Sequence, residues 1–342
     1  MSTVQSTQPG RPVVERRRVA FGGMIQRAAR DTPLVQLAVL IAMFVYGAVS
    51  IDGFSSSASI KSMLLISAFL GLTALGQTVV VLAGHLDLSV PGFIGFGNVL
   101  TAILFGQDHW SFLITLLVII AGAILMGSIS GLICHRLNVQ SIVVTLGMNF
   151  VMLGVIGVIA ASGITGSGPA WLTRFATVSS ATFGVGVPPL VVFWLLVTLI
   201  AGFVLRRTLA GRRVYLTGSN PRAAELALVP TGRIVVGAFA LSAVSAAVTG
   251  VLLTGFSGQG TVDIGTPYLF TSLTAVIVGG TSIVGARGDY WRTVIGALML
   301  TVINTVLLAH GYSNAEQQIL FGIIILLAVL AYGREPRLRD MV

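Results

Sequence analysis

Between Lys61 and His85 the chain reads Ser62-Met63-Leu64-Leu65-Ile66-Ser67-Ala68-Phe69-Leu70-Gly71-Leu72-Thr73-Ala74-Leu75-Gly76-Gln77-Thr78-Val79-Val80-Val81-Leu82-Ala83-Gly84, without one charged residue. A helix needs about 20 apolar residues to cross the ~30 Å hydrocarbon core of a bilayer, and this run supplies them. A different kind of sequence follows at once: His85-Leu86-Asp87-Leu88-Ser89-Val90-Pro91-Gly92. Gly84 and Pro91 bracket it, and Asp87 or Ser89 is placed to cap the next helix. The apolar run after it, residues 90–105, is short for a full span. A short, Gly/Pro-interrupted segment points to a discontinuous helix beside a substrate path.

Working outward, similar runs lie at 33–50, 111–134, 142–162, 187–205, 233–256, 268–285, 293–310 and 317–333, which makes ten segments with 62–84 and 90–105. Backbone groups find no water in lipid, so the segments are expected to be helices or protein-buried breaks in helices. The strands of a β-barrel, about 10 residues long and alternating, do not read as continuous apolar runs. The fold expected is an all-α integral membrane protein of about ten transmembrane helices, with short or broken helices near the midplane.

Composition agrees. Of 342 residues 55% are hydrophobic and 9% charged, with mean hydropathy +0.96. Soluble domains carry about 25% charge, so a soluble enzyme is excluded. The net charge of +9 does not signal nucleic-acid binding, because the basic residues sit in short clusters between apolar runs. With the N-terminus inside and sides alternating, 18 of the 20 Lys and Arg fall inside, leaving Lys61 and Arg174 outside. This puts both termini in the cytoplasm: a basic lead over 1–31 and a tail over 334–342, flanking a transmembrane domain over 32–333 with a large basic loop at 206–233. The single cysteine, Cys134, reads as a small buried apolar residue. The four histidines show no ligand spacing, so no metal is assigned.

Ionisable residues in the hydrocarbon cost at least about 2.5–3.5 kcal/mol at a helix centre and default to functional candidates. Asp87 is the only carboxylate near a span and clear of loops and tails. The chain lacks the acid relay of a proton-coupled transporter and the counter-charges for a charged substrate. Its membrane polarity comes from amides and hydroxyls: Gln77, Thr78, Asn98, Thr101, Thr145, Asn149 and Asn304. Such groups suit a neutral polyhydroxylated solute, and they equally serve interhelical hydrogen bonding.

The stretch Gly279-Gly280-Thr281-Ser282-Ile283-Val284-Gly285-Ala286-Arg287-Gly288 superficially suggests a phosphate loop, but a nucleotide P-loop needs Gly-Lys followed by Ser or Thr. The one lysine, Lys61, has no glycine loop before it. In the basic loop, Asn220 then Pro221 reads as a cap and first turn. Arg222, Ala223, Ala224 and Glu225 continue a helix of about 8 residues, ended by Pro230. A short surface helix there suits docking into another protein's groove.

At these stretches the chain resembles the permease subunits of bacterial ABC importers for simple sugars, the ribose/xylose/arabinose type. That family carries Gly-Gly-Ile-Asp-Leu-Ser-Val-Gly after its second span. Here the motif stands as Gly84-His85-Leu86-Asp87-Leu88-Ser89-Val90-Pro91, preceded by Ala74-Leu75-Gly76-Gln77-Thr78. Val143 to Met148, Gly211 to Ala224, Ala275 to Ser282 with Gly285, and Gln317 to Val329 match later family patterns. The likeness covers about residues 60–332. His85 and Pro91 replace usual glycines, and so does Leu228 in the coupling loop. The resemblance implies a second permease copy or paralogue, two separate ATPase subunits that bind ATP and Mg, an extracytoplasmic sugar-binding protein, and residence in the bacterial inner membrane. It implies a pathway including Gln77, Asp87, Ser89, Asn98, Thr145, Asn149 and Asn304, coupling through residues 220–225, and no covalent catalysis or cofactor in this chain. The competing readings are a related permease for nucleosides or branched-chain amino acids, and a stand-alone secondary transporter or facilitator.

Overall fold

A computed structural model describes residues 34–182, 184 and 186–332; the lead over 1–31 and the tail over 334–342 lie outside them. The chain is all-helical. Its helices are α1 (Leu34–Ser50), α2 (Ser57–Leu82), α3 (Val90–Leu100, continued by a π-helical turn Thr101–Gln107), α4 (Phe112–Arg136) and α5 (Ser141–Ile159). They continue with α6 (Ala170–Phe175), α7 (Pro189–Arg207), α8 (Leu209–Ser219), α9 (Pro221–Leu226), α10 (Thr231–Ser257), α11 (Tyr268–Val278), α12 (Tyr290–Ala309) and α13 (Asn314–Tyr332).

Among the described residues seven helices are long and apolar enough to cross a membrane: α2, α3 with its π turn, α4, α5, α7, α10 and α12. Each of the ten expected segments contains helix, but α11 stops at Val278, so the expected run 268–285 is half helix and half loop. The reason is local. Gly280 and Gly285 sit at φ +100° and +92°, in the left-handed region that ends helices.

The centre of the bundle is α2, α3 and α10. Every residue of Val90–Leu100 is buried, and α2 is buried on all sides over its C-terminal half, which is why no amphipathic stripe shows in the sequence. Close packing relies on small residues, as between membrane helices generally: a Cβ at Gly97 would stand 1.9 Å from the Ala247 carbonyl oxygen, and one at Gly250 2.0 Å from that of Ile94. The outer helices α4, α5 and α7 leave Leu113, Leu125, Phe150, Val158, Leu199 and Phe203 exposed, an apolar belt that only lipid or another apolar chain can cover.

Candidate translocation site

The stretch between α2 and α3 is extended, and its backbone hydrogen bonds go to side chains of α5. Leu86 N–H donates to Ser141 Oγ (3.1 Å), Leu88 N–H to Thr145 Oγ1 (3.0 Å) and Gly92 N–H to Asn149 Oδ1 (2.8 Å). Ser141, Thr145 and Asn149 are spaced four apart, so they line one face of the helix. Two turns rise about 11 Å. The stretch therefore climbs from the end of the bundle into its interior, and α3 starts inside the protein. The break expected from the sequence is present, but the helix after it is not short: with its π turn it runs on to Gln107 and is of membrane length. Buried neutral side chains satisfy the freed backbone groups, as a non-helical stretch among membrane helices requires.

From the opposite side Gln77 Nε2 donates to the Asp87 carbonyl (2.7 Å). The Asp87 side chain is buried, and its Oδ1 accepts from Ser89 N–H (2.9 Å) and from the Ser89 hydroxyl. The expected capping of α3 by Asp87 or Ser89 is not made: Ser89 occupies the cap position in helical geometry with no side-chain cap bond. Its hydroxyl is turned to Asp87 instead, so the pair closes a local turn. Gln77 Oε1 is buried without a partner, while the Ser242 hydroxyl faces the Asp87 carboxyl and Ser242 packs against Gly76, next to Gln77.

The structure thus brings Gln77, Asp87, Ser89, Thr145 and Asn149 around one break. Asn98 lies further along α3, where Nδ2 donates to Thr254 Oγ1 (2.8 Å) and Oδ1 accepts from Thr261 N–H (2.6 Å). Asn304 stands apart on α12, with Oδ1 buried and unpartnered. Replacing Asn149 by leucine leaves the Gly92 N–H buried without an acceptor, which costs about 1–3 kcal/mol. Asn149→Leu should lower the melting temperature of the purified protein by several degrees.

On the loop between α7 and α10, the Asn220 side chain caps α9 by accepting from Ala223 N–H (3.1 Å). The helix runs six residues, Pro221–Leu226, rather than the eight expected. It ends in a Schellman turn, with Val229 N–H on the Ala224 carbonyl (3.0 Å) and Leu228 N–H on that of Glu225 (2.9 Å). That turn places Leu228 at φ +59°, the position glycine usually takes. Glu225 accepts from Thr231 Oγ1 (2.9 Å), tying α9 to α10. Ala224 faces in, while Pro221, Arg222, Ala223, Leu226 and Leu228 face out.

Sequence reasoning missed α8, the 11-residue helix before α9. Its signal was Thr208, whose Oγ1 accepts from Gly211 N–H (3.4 Å). The last turn of α8 is seated on the break. A Cβ at Gly218 would stand 1.9 Å from the Leu82 carbonyl oxygen, and that oxygen accepts from Ala286 N–H (3.0 Å) in the loop after α11. A Cβ at Gly285 would lie 3.0 Å from Gly84 Cα. Gly84, Gly218 and Gly285 thus meet where the second span ends. Beside them Arg206 is paired with buried Asp289, and Tyr215 donates to the Gly288 carbonyl (2.9 Å). Burial, and then the nearby Asp289 carboxylate, push the Tyr215 phenol up to about 12, so it stays a donor throughout the working pH range.

The sequence that builds this bundle has known relatives. The model of the family described as "Branched-chain amino acid transport system / permease component" matches residues 59–329. The chain belongs to this family. Among its relatives is the Autoinducer 2 import system permease protein LsrD of Escherichia coli (strain K12), 30% identical over 267 residues, which are 76% of this chain and 79% of the relative. The same protein from Shigella flexneri is as similar, again 30% over 267 residues with the same coverage. No solved structure matches the chain. The kinship with sugar-type ABC importer permeases that the motifs implied is borne out, and with it a multi-pass protein of the bacterial inner membrane.

Proposed function

We propose that the chain is the membrane-spanning subunit of an ABC importer that passes a neutral simple sugar. It works with a second permease copy or paralogue, two ATPase subunits and an extracytoplasmic binding protein. In this reading it crosses the membrane ten times, α1, α11 and α13 joining the seven long helices, with both termini and the 206–233 loop in the cytoplasm. ATP is hydrolysed on the partner subunits. Their closure moves α8 and α9, and the pathway alternates its opening.

The observation that carries this reading is the seating of α8 on the break: the helix pair suited to docking meets the polar-held stretch at Gly218, Leu82 and Gly84, so movement at the surface is passed directly to the interior. The polar groups holding the break are amides, hydroxyls and Asp87, without a Lys or Arg among them. A zwitterionic branched-chain amino acid would lack a cation there for its carboxylate. The second reading is autoinducer 2 itself, favoured by the likeness to the LsrD proteins.

The deciding experiment is uptake into proteoliposomes containing the chain, its ATPase subunits and its binding protein. Labelled ribose, xylose and arabinose are compared with autoinducer 2, a nucleoside and leucine. ATP-dependent sugar uptake supports the proposal; uptake by the chain alone without ATP would make it a stand-alone transporter. Deleting residues 221–229 should leave ATP hydrolysis running without transport.

At the tip of α9, Leu226 is 84% and Leu228 92% exposed. Leu228 is held in a conformation that costs a branched residue on the order of 1–2 kcal/mol. Two apolar knobs on a docking helix are expected anchors for the ATPase. Changing both to serine should weaken co-purification of the ATPase on the order of 30-fold, the scale of a hot-spot loss, without lowering the melting temperature. Unchanged association would remove the knobs from the docking surface.

A further inference from the structure

A cleft of about 360 Å³ opens between the end of α7, α8 and the start of α12, lined by Arg206, Arg212, Tyr215, Asp289, Trp291 and Arg292. Three guanidinium groups face one carboxylate, so the lining is net positive even with Arg206 paired to Asp289. The Trp291 indole packs directly over Gly202 on α7, and Arg292 reaches the Gly280 carbonyl (3.4 Å). Close in sequence to Arg206 and Arg212, Phe203 is 63%, Val204 37% and Leu209 66% exposed.

We infer that this cleft binds the phosphate of a phospholipid in the cytoplasmic leaflet, with the acyl chains lying along the exposed face of α7. The inference rests on the orientation proposed above. Three features favour lipid over a protein partner or a small anion. Arg206 lies in the last turn of α7 and Arg292 in the first turn of α12, both membrane-length helices, with Arg212 on α8 beside them, and basic pockets between spans meet headgroups. A tryptophan lies at the same level, as in the aromatic belts of membrane proteins. The helix that ends at Arg206 also carries exposed apolar residues along its length, Leu195, Leu199 and Phe203, which would hold acyl chains and offer nothing to a soluble anion. The docking face, with Leu226 and Leu228, belongs to a different helix.

The test uses the full chain in nanodiscs, alone and with its ATPase subunits. Retained phosphatidylglycerol is counted by native mass spectrometry after exchange against phosphatidylcholine. Arg212 is exposed and its replacement leaves the fold intact. Arg212→Gln should weaken phosphatidylglycerol retention about fivefold, the scale of one basic residue at an anionic surface, and Arg212→Lys should restore most of it. Arg213→Gln removes the same charge outside the cleft and should change retention less than twofold. Brominated phosphatidylglycerol should quench wild-type fluorescence more than that of Trp291→Phe. Equal losses in Arg212→Gln and Arg213→Gln would overturn the proposal in favour of diffuse surface attraction. Displacement of the lipid by millimolar inorganic phosphate would make the cleft a small-anion site, and its displacement on binding of the ATPase subunits would make it partner surface; either overturns the proposal. ATP-driven uptake by the same preparations tests the transport reading separately, since losing the lipid site leaves coupled uptake measurable.

Discussion

Gly218→Val should reduce ATP-driven uptake at least tenfold while ATP hydrolysis by the assembled complex continues. Any Cβ at this position would stand 1.9 Å from the carbonyl oxygen of Leu82 and 3.0 Å from the amide nitrogen of Ala286. Those two atoms are hydrogen-bonded to each other at 3.0 Å, so the side chain would wedge between donor and acceptor. Both neighbours are backbone and have no rotamer to escape into. Overpacking of this kind costs about 1–3 kcal/mol, enough to shift the balance between seated and unseated α8 roughly five- to 150-fold. The consequence is expected to be selective because the contact lies where α8 meets the end of α2 at Leu82, while the α3–α10 packing at Gly97 and Gly250 is left untouched. The control is Gly147→Val on α5, where a Cβ meets nothing within 4 Å; uptake should be unchanged. The measurement is uptake and ATP hydrolysis in one preparation. Parallel loss of both, with a lower melting temperature, would mean that Gly218 serves folding alone.

Most of the bundle was legible because lipid imposes a coarse rule: apolar runs of sufficient length become helices, and each of the ten segments contains one. What was not legible depended on contacts distant in sequence. Thr145 and Asn149 drew notice as polar residues in an apolar run, but Ser141, four residues earlier on the same face, did not, although the spacing alone placed the three together. Phase shows which residues share a face, and only the packed structure shows that this face meets Leu86, Leu88 and Gly92. Asn304 passed the same test of polarity and stands apart on α12, which shows that an amide in a membrane helix is no address. The helix α8 was missed because Arg212, Arg213 and Gly211 made it read as a basic loop. The end of α9, by contrast, was marked in the sequence by the departure at Leu228 from the usual glycine, and the structure gives that departure a physical form in a left-handed leucine.

The other large effect is expected at Asp87, where two substitutions separate structure from charge. Asp87 is 1% exposed, and its Oδ1 is the acceptor for both the Ser89 amide (2.9 Å) and the Ser89 hydroxyl. Asp87→Ala leaves both donors buried with no acceptor, and each unsatisfied group costs about 1–3 kcal/mol. The turn that launches the chain from the end of α2 into the interior then loses its closure. Folded yield should drop severalfold and uptake should fall to background. Asp87→Asn keeps an oxygen at Oδ1 and removes the charge. The Gln77 bond to the Asp87 carbonyl (2.7 Å) is unaffected, so yield and melting temperature should stay near wild type. If the carboxylate serves only to close the turn, uptake by Asp87→Asn should match its yield. The residue lies among neutral polar groups at the foot of the α3 entry, where an ionisable group is costly to bury and is a functional candidate by default. Uptake by Asp87→Asn should therefore fall further than its assembly does. Wild-type transport by Asp87→Ala would reduce the whole segment to a connector, and the pathway would then have to be sought at Asn98 or at the unpartnered oxygen of Gln77.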